Sequence, residues 1–117
     1  MADYLPLFTP GAAVTFAAGA NVTGGRLAAV AGDRIAVHAT ADSAKVVGVF
    51  AHDATEGDNV AVYSGGVQRP LASGAINAGD RVAAAADGTV STTGTNKIGT
   101  ALAAAADGAL AQIKFDA

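Results

Sequence analysis

Glycine or Asp-Gly interrupts nearly every stretch of this 117-residue chain before it reaches ten residues. That spacing leaves little room for the helices of about 11–12 residues usual in globular proteins. The acids point the same way: nine of the ten are Asp, the turn former, and only Glu56 is Glu, the helix former. Between the interruptions lie short β-branched runs such as Lys45-Val46-Val47-Gly48-Val49-Phe50 and Asn59-Val60-Ala61-Val62-Tyr63. The pattern predicts strands at about 12–17, 25–31, 34–38, 45–51, 59–63, 81–85, 89–92, 98–104 and 109–115. So many short strands imply a barrel or sandwich, all-β and undivided by any linker. Residues 64–80 read as a loop or edge strand, and 52–58 have room for one helical turn.

A turn grammar recurs along the chain. Gly32-Asp33-Arg34-Ile35, Gly57-Asp58-Asn59-Val60 and Gly79-Asp80-Arg81-Val82 each set Gly-Asp before a run of strand residues. Gly permits backbone angles closed to other residues, and Asp bonds nearby amides. The hexapeptide Ala-Ala-Ala-Ala-Asp-Gly occurs at 83–88 and again at 103–108. Asp-Gly between apolar runs is the preferred sequence of a tight type I′ turn, so hairpins are expected at Asp87-Gly88 and Asp107-Gly108. A third is expected at Gly32-Asp33. Unequal spacings mark shared turn chemistry more than a solenoid repeat.

Composition limits what such a fold can bury. Hydrophobic residues make up 51% of the chain, but 31 of them are Ala and only 29 are larger. A buried methyl yields about 0.8 kcal/mol, whereas ordering the backbone costs about 1–2 kcal/mol for every residue alike. One copy therefore builds a thin core, and added stability is expected from a partner surface. The richest apolar segment is Tyr4-Leu5-Pro6-Leu7-Phe8-Thr9-Pro10, whose prolines favour an extended backbone. Residues 1–10 accordingly read as an extended N-terminal arm and 11–117 as the barrel-like domain. An extended apolar arm needs a surface, so Tyr4, Leu5, Leu7 and Phe8 are the candidate partner-interface residues.

Sequence motifs for chemistry are missing. No Gly-x-Ser-x-Gly elbow, Walker sequence or dinucleotide glycine motif occurs, and without Cys there is no disulfide, thiol or Cys-ligated metal. His38 and His52 are the only imidazoles; His52-Asp53 with Asp58 lacks a recognised ligand spacing. Ser64 and Ser73 have no neighbouring base in sequence. No catalytic residue, cofactor or metal is expected. A net charge of -3, with Arg26, Arg34, Arg69 and Arg81 set far apart, gives no basic stripe for nucleic acid. No apolar run approaches the roughly 20 residues that span a bilayer, so no membrane partner is expected. An acid at Asp3 argues against a secretion leader.

Several segments carry a family resemblance when taken in order. They are Tyr4–Phe8 with Pro10-Gly11, Val14-Thr15-Phe16, Val22-Thr23-Gly24-Gly25, Ser43–Val49, Ser64-Gly65-Gly66-Val67-Gln68, Ala78–Val82 and Gly94–Gly99. Together they resemble the capsid decoration (cement) proteins of tailed bacteriophages, particularly those infecting actinobacteria. The resemblance implies a compact β-barrel or β-tulip domain on the outer capsid surface, made in the host cytoplasm. It further implies a homotrimer at threefold and quasi-threefold positions, tying major capsid subunits together. The competing reading is a carbohydrate- or host-binding β-sandwich, which six Phe and Tyr and no Trp disfavour.

Overall fold

The short runs between turns become strands. A computed structural model describes residues 13–116 of the chain. Five strands, β1 (Ala13–Ala18), β2 (Leu27–Gly32), β3 (Ile35–His38), β4 (Val46–Phe50) and β5 (Asn59–Tyr63), close a barrel in the order β1-β3-β2-β4-β5. All its pairs are antiparallel except β1 with β3, where Ala17 lies opposite Ile35. A second sheet holds β6 (Val67–Gln68), β7 (Arg81–Ala84), β8 (Val90–Ser91), β9 (Lys97–Ala101) and β10 (Ile113–Phe115), ordered β6-β10-β9-β7-β8. A parallel bridge between Ala72 and Val90 brings its two edges together. The all-β, barrel-containing single domain expected from the sequence is thus the one observed, while the arm 1–10 lies outside the described residues.

Two apolar cores share a wall. Phe16, Val22, Phe50, Val60 and Val62 pack with Ala18, Ala28 and Ala36 inside the barrel, large beside small as a narrow interior requires. The second core gathers Ile76, Val82, Val90, Ile113 and Phe115 with Leu27, Ala29 and Val49 of the barrel. β2 therefore alternates between cores, Leu27 and Ala29 to one and Ala28 to the other, and is buried on both faces. Among the described residues, ten of the 22 buried hydrophobic ones are Ala, the thinness that the composition implies. At Gly48, on the bulged side of the β2–β4 ladder, a Cβ would collide with the Tyr63 carbonyl oxygen, so only glycine lets β4 and β5 close the barrel here.

The turns divide into those read correctly and those not. Asp87 (φ 56°) and Gly88 (φ 73°) are both left-handed, and the Thr89 amide donates to the Ala86 carbonyl, giving the expected mirror-image turn between β7 and β8. β2 and β3 also form the expected hairpin, although the positive φ falls on Arg34 and not on Gly32 or Asp33. At Asp107-Gly108 only the glycine has positive φ, and 102–112 form a long connection in place of a tight hairpin. Residues 52–58 hold no helical turn; Ala54 bridges Val22 and a turn follows.

The barrel and the second sheet prove to be one hydrogen-bond plan used twice. In the barrel the Ala18 amide donates to Asp58, the Gly57 amide donates to Ala18, and Val22 and Ala54 exchange two bonds. In the second sheet Ala101 donates to Asp80, Gly79 donates to Ala101, and Ile76 and Ala105 exchange two bonds. The match extends to Gly25 donating to Phe50 and Phe50 to Arg26, against Gly108 donating to Ala72 and Ala72 to Ala109. Chain order differs: the segment beginning β1–Val22 precedes Ala54–β5, whereas Ile76–β7 precedes β9–Ala105. The second unit is a circular permutation of the first, which no constant sequence period reveals.

Candidate contact surface

The strongest surface feature is the outer face of the second sheet. Along its last strand Ala111, Ile113 and Phe115 are buried while Leu110, Gln112, Lys114 and Asp116 face out, the period-two alternation of a one-sided strand. Pairing sets Arg81, Thr100, Lys114 and Val67 in one row across the sheet. Leu102, whose amide donates to Gln112, and the Leu110–Leu71 bridge extend the face. Val67 is 53% exposed, Leu102 50% and Leu110 60%, three of the five large hydrophobics exposed among the described residues. Tyr63 adjoins them across a groove of about 320 Å³ lined by Val49, Phe50, Gln68, Arg69 and Leu110.

The electrostatics of this face are simple. Arg81 donates two bonds of 2.6 Å to the Asp116 carboxylate and a third to Thr100 Oγ1. The pair lowers the Asp116 pKa and raises that of Arg81, first through the hydrogen bonds themselves. Both side chains are about half exposed, so the pair orients the strand ends more than it stabilises them. Arg69 lines the groove with Leu110, Lys114 pairs with Val67, and both are exposed.

Groups suspected of chemistry hold loops together. His38 Nε2 accepts the Thr23 amide hydrogen at 2.9 Å and its ring lies 5.9 Å from that of Phe50. Burial, then the nearby Arg26 charge, pushes its pKa down, which keeps the accepting nitrogen unprotonated. His52 Nδ1 contacts the Asp53 carbonyl, and the Asp53 carboxylate accepts from the Gly24 amide. Asp58 serves through its backbone carbonyl, and Ser64 Oγ donates to the Val47 carbonyl. Arg26 and Arg34 each donate to a backbone carbonyl, of Asp87 and Thr15. A cleft of about 540 Å³ between the end of β2 and the start of β4 contains Asp33 and Lys45 but neither histidine. No cluster of three His, Asp or Glu suited to a metal occurs among the described residues.

Tyr4, Leu5, Leu7 and Phe8 lie outside the described residues. Val67, Leu102, Leu110 and Tyr63 are the surface residues that sequence reading missed. The available signal was the alternation through 110–116, since a leucine standing out of phase with Ala111, Ile113 and Phe115 must face away from the core.

These features define an all-β module with an exposed apolar patch, in which His38, Asp53 and Ser64 are held in hydrogen bonds between loops and strands. The chain belongs to the phage cement protein family, whose model matches residues 8–115. Among solved structures it is similar to the N base of head fiber gp8.5 in bacteriophage phi29. The two share 26% identity over 90% of this chain and 93% of that one, with a TM-score of 0.72. No curated protein matches the sequence.

Proposed function

We propose that this protein stabilises a phage head from the outside, as a homotrimer at threefold and quasi-threefold positions bridging major capsid subunits. The observation that carries the reading is membership of the cement family along nearly the whole chain, which makes the protein a capsid-associated structural component. The exposed Val67–Leu102–Leu110 face and the apolar residues Tyr4, Leu5, Leu7 and Phe8 supply contact area of the type such a clamp uses. A protein that binds the assembled lattice better than free subunits stabilises it by mass action, and symmetry multiplies weak contacts into avidity. A tailed phage of an actinobacterial host is the origin that the sequence resemblance favours.

Co-sedimentation tests the reading. The protein is expected to pellet with mature heads in a fixed ratio to the major capsid protein and to raise their thermal resistance. Failure to pellet would sink the proposal. Deleting residues 2–9 is expected to weaken capsid occupancy or trimer formation; if both are unchanged, the arm has no part in the contact.

A further inference from the structure

We propose that the outer face of β6–β10–β9, centred on Leu110 and Leu102, is the surface by which one copy of this chain docks on another. The inference rests on the reading of the protein as self-associating and names the surface used. Its basis is the repeated plan. Leu110 and Leu71, bridged across the second sheet, occupy the positions that Leu27 and Val49 occupy in the barrel, where they also pair. In the barrel this pair is covered by the second β unit, leaving Leu27 fully buried and Val49 4% exposed. In the second unit Leu110 stands 60% exposed. The intramolecular packing thus shows what covers a leucine at this position: another β unit of the same design. The described residues contain no third unit, and a second copy supplies one.

Charge sets the orientation of that docking. The face holds three of the chain's seven basic residues, Arg69, Arg81 and Lys114, and one of its ten acids, Asp116. Two copies meeting face to face would oppose Arg69 and Lys114 to themselves. The complementary charge is on the loop between β4 and β5, where Asp53, Glu56 and Asp58 are exposed. Basic face against acidic loop is a head-to-tail contact, the kind that closes cyclic rings.

The test measures the mass of the full-length protein by light scattering across a concentration series, with circular dichroism to verify folding. Leu102→Ser and Leu110→Ser alter exposed side chains and are expected to leave the fold intact. Each should weaken self-association at least about tenfold, the effect of withdrawing one leucine from a buried contact. Arg69→Glu should weaken it too, and mixing with a Glu56→Arg/Asp58→Arg chain should restore it. Folded leucine variants that keep the wild-type mass overturn the proposal, as do variants that keep it but lose head binding, since the face then meets the capsid. A wild-type chain that binds heads as a monomer overturns the proposal and leaves the capsid reading standing. One that associates as predicted but never pellets with heads does the reverse.

Discussion

The barrel and the second sheet use the same turns and the same loop-to-loop hydrogen bonds, yet they close differently. In the barrel β3 is inserted between β1 and β2, and β4 pairs with β5 to complete the ring. In the second sheet the strands equivalent to β1 and β2, which are β9 and β10, pair directly, and a single bridge from Ala72 to Val90 joins the edges. The cores follow. The barrel encloses Phe16 and Phe50 among its own strands, whereas the second core takes Leu27, Ala29 and Val49 from the barrel wall. The second core is thus shared with the barrel wall, whereas the barrel interior is built from barrel residues alone. The second unit is expected to depend on the barrel more than the reverse.

Substitution of the two buried phenylalanines puts the largest strain on that comparison. Phe50→Ala, at 1% exposure inside the barrel, is expected to cost about 3–5 kcal/mol and to lower the urea midpoint in one transition. Phe115→Ala, at 7% exposure on the last strand, should cost less and leave the barrel amides protected in hydrogen exchange. Equal losses of protection in both units would show that neither core leads.

A smaller effect tests the equivalence itself. Gly25 (φ 83°) and Gly108 (φ 80°) occupy the same turn in the two units, and a Cβ at either meets nothing within 4 Å. Alanine at each position thus pays only the left-handed backbone cost, about 1–2 kcal/mol. The two variants should shift the denaturation midpoint alike. A clear difference between them would mean that the shared plan is geometric and not energetic.

Much of this architecture was legible in the sequence, in the parts that local chemistry decides. Asp87-Gly88 specifies its mirror-image turn because two consecutive left-handed residues are cheap only for such a pair. The nine predicted strands correspond to nine of the ten among the described residues, although 98–104 and 109–115 run longer than Lys97–Ala101 and Ile113–Phe115. Alanine is the reason: Ala103–Ala106 carries no signal that separates a strand end from a loop. The repeat escaped because permutation preserves contacts while scrambling order. Of the three Gly-Asp copies, 57–58 and 79–80 are structurally equivalent and 32–33 is a simple hairpin, a distinction made by long-range bonds to Ala18 and Ala101. The exposed apolar face was partly legible, since Leu110 stands out of phase with Ala111, Ile113 and Phe115. Its neighbours Val67, on β6, and Leu102, just after β9, join it only through pairing.

The seam between the units is sensitive to charge at Asp42. Its carboxylate accepts from the amides of Asn96 and Thr95 and from Thr95 Oγ1, while its own amide donates to the Ala84 carbonyl. The Asn96 and then the Thr95 amide bonds hold its pKa below the ordinary 3.8. A carboxylate depressed in the folded state adds stability above 3.8, and the contribution is lost as pH falls through its folded value. Asp42→Asn keeps a residue tolerant of the left-handed backbone and removes the charge. It should lower the Tm at neutral pH by less than either glycine substitution, and the gap to the wild type should narrow in acid. A gap that persists below the folded value would locate the effect in shape instead of charge.

The smallest expected effect belongs to His38, at the barrel's side of the same seam. Protonating Nε2 would remove the acceptor for the Thr23 amide and place a cation near Arg26, while the opposing attraction of Asp87 is the weakest of the three influences. The neutral form is therefore the one the fold prefers. With the folded pKa below the ordinary 6.5, stability is full above 6.5, declines as pH falls from there to the folded value, and levels off beneath it. His38→Gln retains a side-chain acceptor and cannot titrate in this range, so its Tm should be flat where the wild type slopes. Histidine NMR titration supplies the independent check: His38 should protonate below the ordinary 6.5. A His38 that protonates at or above 6.5 would remove it as the source of the slope and shift attention to the carboxylates on the adjoining loops.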